Sequence, residues 1–308
     1  VLEYFIKMID INFFKKTRLL DGGMGQELLA RGVPSNSTLW SANAILNEKY
    51  HSLVLKTHID FIKAGAEVIV TNTFATRQKR LKENNLLDKF EYLNQKAGEI
   101  AVNAKKRFPH VYIAGGLPPQ HLTYEADDRN DKEIIENFRS QAKVLNPYVD
   151  FFYFDVWSSI KEVKCGIEAI KQFKKPYLIG IHISEGVKLP SGEKISDLKN
   201  LINNQTLGVM LACVSPENFE KNVTELKSLN IPFGFKLNGF ITTKIKNGYT
   251  SVFLNKKSNP NEMLGKRQDL TPNKIAEIAK KFKDFGATIL GGCCETGPSH
   301  IEAIAKIK

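Results

Sequence analysis

The apolar residues of the chain are concentrated in short, mostly β-branched or aromatic runs that recur along its length. Most runs are followed by a segment in which apolar residues return every three or four positions, as in a helix with one buried face. Because the runs are apolar throughout, they predict parallel strands buried on both faces. There are eight such runs, at residues 18–23, 67–74, 111–116, 150–156, 176–183, 207–214, 233–238 and 287–293.

Helical periodicity lies between these runs, most clearly at residues 44–66, where one apolar stripe predicts an inward-packing helix. Eight strand-helix units without a linker predict a single α/β domain over residues 1–308, a (β/α)8 TIM barrel and not an open doubly wound sheet. Residues 239–271, rich in Gly, Asn and Pro, predict a long loop inserted between the seventh and eighth strands. Further helices are predicted at 91–107, 132–146, 158–173, 216–229 and 272–285, and the connections after the fifth and seventh strands are less regular.

Composition narrows the functional classes. No run approaches the roughly 18 apolar residues that cross a bilayer, so we expect a soluble cytoplasmic protein with no membrane partner. The net charge of +11 raises the alternative of nucleic-acid binding, but the lysines are spread over the polar faces of predicted helices, which favours a solvated surface. A monomer and a small homo-oligomer both remain open. Residues 1–7 precede Met8, and the sequence leaves open whether they are native or added.

The four cysteines are too few for a disulfide scaffold in 308 residues. Cys213 ends the sixth predicted strand, and Cys293 with Cys294 ends the eighth. A closed barrel brings the carboxyl ends of its strands to one rim, where three thiolates would suit Zn²⁺ with a fourth position open. The alternative is that they are small buried apolar residues, which is our interpretation for Cys165 within a predicted helix.

The residues around the last two cysteines fit this metal-site interpretation. Gly291 and Gly292 permit a tight turn, and Pro298 is suited to the first turn of the final helix. His300 is close enough in sequence to be considered as a fourth ligand, but packing or capping of that helix is the favoured role.

The segment GGCCETGPSHI (291–301) resembles the C-terminal signature of the homocysteine S-methyltransferase family. The resemblance implies a (β/α)8 barrel in which Cys213, Cys293 and Cys294 bind zinc. It also implies methyl transfer from a cationic sulfonium donor, such as S-methylmethionine, to the thiol of homocysteine, giving methionine. The similarity covers nearly the whole chain, through LLDGGMGQELLARG (19–32), LW (39–40), GAEVIVTNTF (65–74), ACVSPENF (212–219) and LNG (237–239).

An amino-acid substrate needs an anion for its ammonium group and donors for its carboxylate. Asp21 matches a substrate-binding aspartate of the family, and Asp155 stands where the family usually has glutamate. Gly22 and Gly23 are expected to offer backbone N–H groups to the carboxylate. The alternatives are a turn aspartate at Asp21 and a dinucleotide fingerprint in DGGMGQ, which lacks the full glycine pattern.

A cationic methyl donor is attracted to an aromatic face, and Trp40 on the loop after the first strand is the candidate. At the end of the second strand, Asn72 and Thr73 are expected to offer polar groups and Phe74 to form a wall. Alternatively, Trp40 closes the barrel and Thr73 caps the next helix.

Two departures from the family pattern lie near the expected active rim. Residues 210–213 read MLAC where the family has Gly-hydrophobe-Asn-Cys, and residues 115–119 read GGLPP in place of Gly-Ser-hydrophobe-Gly-Pro. These changes keep alternatives open: transfer from betaine or dimethylsulfoniopropionate, or a barrel that binds zinc or a thiol without turnover.

Overall fold

The computed structural model describes residues 9–34, 38–244 and 264–308. Its eight strands are all parallel and follow the order β1-β8-β7-β6-β5-β4-β3-β2, and a parallel bridge between Leu20 and Val68 closes the ring. The predicted (β/α)8 barrel is therefore confirmed. The strands are β1 (Arg18–Leu19), β2 (Val68–Val70), β3 (Tyr112–Leu117), β4 (Phe151–Trp157), β5 (Tyr177–Ile181), β6 (Thr206–Val214), β7 (Phe233–Leu237) and β8 (Ile289–Leu290).

The α-helices surround this barrel. They are α1 (Ile11–Lys15), α2 (Met24–Ala30), α3 (Asn43–Leu46), α4 (His51–Lys63), α5 (Gln78–Glu83), α6 (Phe90–Arg107), α7 (Asp131–Leu145), α8 (Ile160–Ile170), α9 (Pro216–Ser228), α10 (Pro272–Asp284) and α11 (Pro298–Ala305). Five of them begin after a polar residue whose side chain accepts a first-turn N–H bond, which satisfies one of the donors left free at a helix start. These residues are Asp10, Asn130, Ser159, Ser215 and Thr271.

Two connections differ from a simple strand-helix alternation. The helix predicted over 44–66 is interrupted at Asn47, whose backbone is extended. The Asn47 side chain accepts a hydrogen bond from the Lys49 amide, and a 3₁₀ turn begins there and precedes α4. The link from β5 to β6 carries a 3₁₀ segment, Ile195–Leu201, among its described residues. The expectation of an irregular fifth connection is confirmed.

The apolar core has two main layers, one inside the barrel and one between strands and helices. Helix α1 covers the end of the barrel where the strands begin: Phe14 is fully buried and meets Phe151, the first residue of β4, edge to face at 6.1 Å. The opposite end is left to the loops that follow the strands, where barrel enzymes place their chemistry.

Only the two ends of the predicted insertion at 239–271 are described. They meet through an antiparallel bridge between Phe240 and Lys266 and a hydrogen bond from the Arg267 amide to the Gly239 carbonyl (2.8 Å). Residues 245–263 and 1–8 lie outside the described residues, so the loop assignment there stays a prediction. Among the helices described, none has the length and apolar character required to span a membrane.

Candidate active site and metal centre

A cavity lies at the end of the barrel where the strands finish. Its walls include residues at or after the carboxyl ends of β1, β2, β3, β4, β6, β7 and β8, so the topology brings seven strand ends to one space. The chemically informative lining residues are Asp21, Trp40, Asn72, Phe74, Tyr124, Asp155, Cys213, Lys236, Cys293 and Cys294.

The three cysteines predicted as metal ligands meet in this cavity. The sulfur of Cys294 is 3.8 Å from that of Cys213 and 3.9 Å from that of Cys293, and all three lie within 4.8 Å of one another. Thiolates at about 2.3 Å from a tetrahedral Zn²⁺ are about 3.8 Å apart along each edge. The donor atoms and two of their separations therefore fit a tetrahedral ion with three thiolate ligands.

Cys213 has an unusual backbone conformation, and its side chain lines the cavity. The β6–β7 register shifts between Ala212 and Val214, and Cys213 has φ +53°, in the left-handed region that non-glycine residues seldom adopt. The side-chain amide of Asn238 holds the Cys213 carbonyl at 2.5 Å. Such strain persists only where neighbouring contacts enforce it, and it is common at functional sites.

The three thiols differ in acidity. Burial acts to raise the pKa of Cys213, but hydrogen bonds from Cys293, Cys294 and Tyr124 stabilise its thiolate and bring the pKa well below the usual value. The pKa of Cys294 is raised, because its bonds to Cys213 and Cys293 and its burial favour the protonated form. A cation held by all three sulfurs would displace the remaining protons.

Asp21, a predicted substrate anion, is engaged by the protein. Its Oδ1 accepts a bond from Lys236 Nζ at 2.9 Å, and its Oδ2 accepts one from the Val70 amide at 2.8 Å. Asp21 also lines the cavity, so its predicted role in binding the substrate ammonium stays a prediction. Lys236 was not among the predicted site residues, although a lysine in the apolar strand FGFKL was a usable signal.

The second predicted anion, Asp155, also faces the cavity. It lies beside a register shift in β4, where Val156 has φ +68°. Burial raises the pKa of Asp155 to about 7, and the opposing charge of Lys236 limits the rise. Burial alone would lower the pKa of Lys236, but Asp21 and Asp155 outweigh it and raise that pKa, so the amine is an ammonium ion.

The glycines after β1 serve close packing. A Cβ at Gly22 would lie 2.3 Å from the Thr296 carbonyl oxygen, and one at Gly23 would lie 2.4 Å from that of Cys293. The Gly23 amide donates to the Thr296 carbonyl at 2.8 Å, so it is not the carboxylate donor that the sequence predicted. Both glycines line the cavity. Because they have no Cβ, the loop after β8 can pack against the loop after β1.

Two aromatic residues form one wall. Trp40 and Phe74 meet edge to face with centroids 6.1 Å apart, and Gly25 packs so closely on the indole that an added Cβ would be 2.2 Å from it. The indole Nε1 is buried and has no hydrogen-bond partner among the described residues. The predicted lining role of Phe74 and the rim position of Trp40 agree with this arrangement.

The two polar residues before Phe74 differ. Asn72 lines the cavity and donates to the Ser41 carbonyl at 3.1 Å. Thr73 is fully buried outside the cavity lining, because its hydroxyl donates to the Gly116 carbonyl at 2.7 Å. It neither offers a group to substrate nor caps the next helix, which begins at Gln78, so both predictions for it are wrong.

Two buried arginines near this wall were also not among the predicted site residues. Arg77 and Arg80 both line the cavity, and the Arg77 guanidinium lies 5.3 Å from the centroid of the Phe74 ring and donates to Thr123 Oγ1 at 3.0 Å. Nothing in TRQKRLKE distinguishes them from surface charges.

The other two candidates take structural roles. His300 accepts the Gly297 amide at 3.2 Å, and its other ring nitrogen lies 3.2 Å from the Leu270 carbonyl, so the favoured capping role is confirmed. Cys165 is buried in α8 away from the cavity, as expected.

Comparison with known proteins gives the family. The family model described as homocysteine S-methyltransferase matches residues 18–307. The chain belongs to the homocysteine S-methyltransferase family. Within this family it is similar to homocysteine S-methyltransferase 1 of Saccharomyces cerevisiae, with 26% identity over 97% of this chain and 96% of the relative. Homocysteine S-methyltransferase 1 of Arabidopsis thaliana is 25% identical over 94% of this chain and 92% of the relative.

A solved structure supports the fold of this family member. The metallated form of the homocysteine methyltransferase MmuM from Escherichia coli superposes with a TM-score of 0.77 over 95% of this chain and 96% of MmuM, at 20% identity.

Proposed function

We propose that this protein is a zinc-dependent homocysteine S-methyltransferase that transfers a methyl group from a sulfonium donor, such as S-methylmethionine, to homocysteine, giving methionine. The observation that carries the proposal is the convergence of Cys213, Cys293 and Cys294 in a cavity that also presents Asp155 and an aromatic wall. The family of this chain and the names of its relatives support homocysteine as the methyl acceptor.

Zn²⁺ is the metal we propose, because soft thiolate donors select it over hard cations. A free thiol with a pKa of about 8.5 is only slightly ionised at neutral pH, and bound Zn²⁺ supplies the Lewis acidity that favours the thiolate. Cys213, Cys293 and Cys294 would hold the ion.

The protein's own groups would bind and align the two substrates. Asp155 faces the cavity and can accept bonds from the acceptor's ammonium group. Transfer forms a bond between the acceptor sulfur and the methyl carbon while the donor's sulfur–methyl bond breaks. Its electron pair stays on the donor, which becomes a neutral thioether, and the thiol proton is lost to solvent. Binding both substrates in one cavity increases the reaction rate, because it aligns the two sulfurs on opposite sides of the methyl carbon.

The wall of Trp40 and Phe74 provides the aromatic face that attracts an onium methyl group. The nearby guanidinium groups of Arg77 and Arg80 favour a donor with an anionic far end. S-methylmethionine, betaine and dimethylsulfoniopropionate all have such an end, so betaine and dimethylsulfoniopropionate remain alternative donors.

The deciding experiment measures methionine formation from homocysteine by the zinc-loaded protein with each of these donors, beside a folate donor. We expect turnover with a sulfonium donor and loss of turnover in Cys294→Ser. Homocysteine binding without methionine formation from any donor would instead support a thiol-binding barrel that has lost turnover.

A further inference from the structure

Lys236 is a charged residue within an otherwise apolar strand of the barrel. Its side chain is 6% exposed, and that of its partner Asp21 is 1% exposed. The 2.9 Å bond between them joins β7 to the end of β1, although the two residues are 215 positions apart in sequence.

A buried ion pair is a poor way to stabilise a barrel. Removing two charges from water costs several kcal/mol, and well-packed apolar residues of similar volume often serve stability as well. Here both partners line the cavity that holds the cysteine cluster. Their position favours a role in ligand recognition over one in folding.

The hydrogen bonding of Lys236 leaves capacity for a ligand. An ammonium group has three donors, and in the part of the chain that the structure describes Asp21 Oδ1 is the acceptor within hydrogen-bond distance. The Lys236 nitrogen also lies 5.9 Å from the centroid of the Tyr153 ring. At least one N–H can therefore turn to an anion in the cavity without breaking the Asp21 bond.

An α-amino acid bound in this cavity requires a donor for its carboxylate. The Gly23 amide is committed to the Thr296 carbonyl, and Lys236 is a buried cation at the same end of the barrel. We propose that Lys236 determines acceptor specificity by binding the carboxylate of the thiol substrate, with Asp21 as the residue that positions Lys236. This inference rests on the proposed function for the class of acceptor, and it assigns Asp155 to the substrate ammonium.

The test measures binding, so that it is independent of turnover. Dissociation constants are determined by calorimetry on the zinc-loaded protein for three thiols: homocysteine, 4-mercaptobutyrate, which lacks the ammonium group, and 3-aminopropane-1-thiol, which lacks the carboxylate. Lys236→Met is compared with the wild type. The double variant Asp21→Asn/Lys236→Met avoids an unpaired buried carboxylate, and Lys63→Met, at an exposed lysine on α4, is the matched control.

In the wild type, we expect homocysteine to bind more tightly than 3-aminopropane-1-thiol. Both Lys236 variants should reduce that preference about 10- to 100-fold, because one hydrogen bond to a charged group contributes about that much to binding. They should reduce the affinity for 4-mercaptobutyrate by a similar factor. Lys236→Arg should restore part of the preference, and Lys63→Met should leave it unchanged.

An unchanged preference for homocysteine in both Lys236 variants would overturn the inference. An equal loss of affinity for all three thiols would also overturn it, because the effect of Lys236 would then be on the cysteine cluster and not on the carboxylate. Binding that depends on Lys236 without methionine formation would refute the proposed function and leave this inference standing. A wild-type protein that binds none of the three thiols would overturn both.

Discussion

The hydroxyl of Tyr124 lies 3.1 Å from the sulfur of Cys213. Tyr124 belongs to the loop after β3, has φ +67°, and packs its ring on His182 with centroids 4.4 Å apart. His182 is itself held between the Ala212 carbonyl (3.1 Å) and the Ser184 hydroxyl (2.8 Å). A chain of contacts thus connects β5, β6 and the β3 loop around one proposed metal ligand.

Tyr124→Phe keeps the ring packing and removes the hydroxyl. Because groups bonded to metal ligands orient them, we expect about a 10-fold loss of zinc affinity, measured by competition with a chromophoric chelator. Tyr177→Phe, which removes a hydroxyl bonded to Asn203 and Thr206, is the control and should retain full affinity. Unchanged affinity in Tyr124→Phe would show that this contact does not support the metal.

The cysteine cluster predicts a metal stoichiometry. We expect about one zinc per chain by elemental analysis, and Cys293→Ser should lose most of it because one thiolate of the set of three is removed. Cys165→Ser changes a buried cysteine outside the cluster and should keep its zinc. Full occupancy in Cys293→Ser would refute the ligand assignment.

The convergence of the cysteines was predictable because it follows from topology alone. Continuous apolar runs predict parallel strands, and a closed barrel brings the ends of β6 and β8 to one rim wherever they lie in sequence. Cys213 and Cys294 could thus be paired, although 81 positions separate them.

The side chains around the cluster could not be predicted in this way. The Asp21–Lys236 pair depends on closure of the barrel and on the face of β7 that Lys236 occupies, and one step of register reverses that face. Thr73 was misassigned because its hydroxyl donates to the Gly116 carbonyl in β3, a tertiary contact for which the sequence carries no local signal. The bulge that directs Cys213 depends on tertiary contacts such as the Asn238 bond, for which the sequence carries no local signal.

Trp40 provides a test of the donor site. Trp40→Ala removes most of the aromatic wall, so we expect about a 10-fold increase in the KM for a sulfonium donor and a smaller change for homocysteine. Trp40→Phe should recover part of the donor affinity, because it keeps an aromatic face. A larger effect on homocysteine than on the donor would remove Trp40 from the donor site.

Glu162 predicts a pH-dependent stability that is separate from the cavity. It is fully buried near the start of α8, where its Oε2 accepts bonds from the Ser158 amide (3.1 Å) and the Ser159 hydroxyl (2.9 Å). Its Oε1 is buried and has no hydrogen-bond partner among the described residues. Burial raises the pKa of Glu162 from 4.5 to about 8.

Because this pKa is raised in the folded state, proton binding stabilises the fold. That contribution is complete below the unfolded pKa of 4.5 and is lost as the pH rises through about 8. Glu162→Gln can keep the bonds from Ser158 and Ser159 without a titrating proton. The free energy of unfolding, measured with urea from pH 5 to pH 9, should therefore fall in the wild type relative to the variant as pH rises. Glu168→Gln, at an exposed position on the same helix, is the control, and its free energy of unfolding should change with pH as that of the wild type does. A difference in free energy between Glu162→Gln and the wild type that stays constant from pH 5 to pH 9 would show that Glu162 does not titrate in this range.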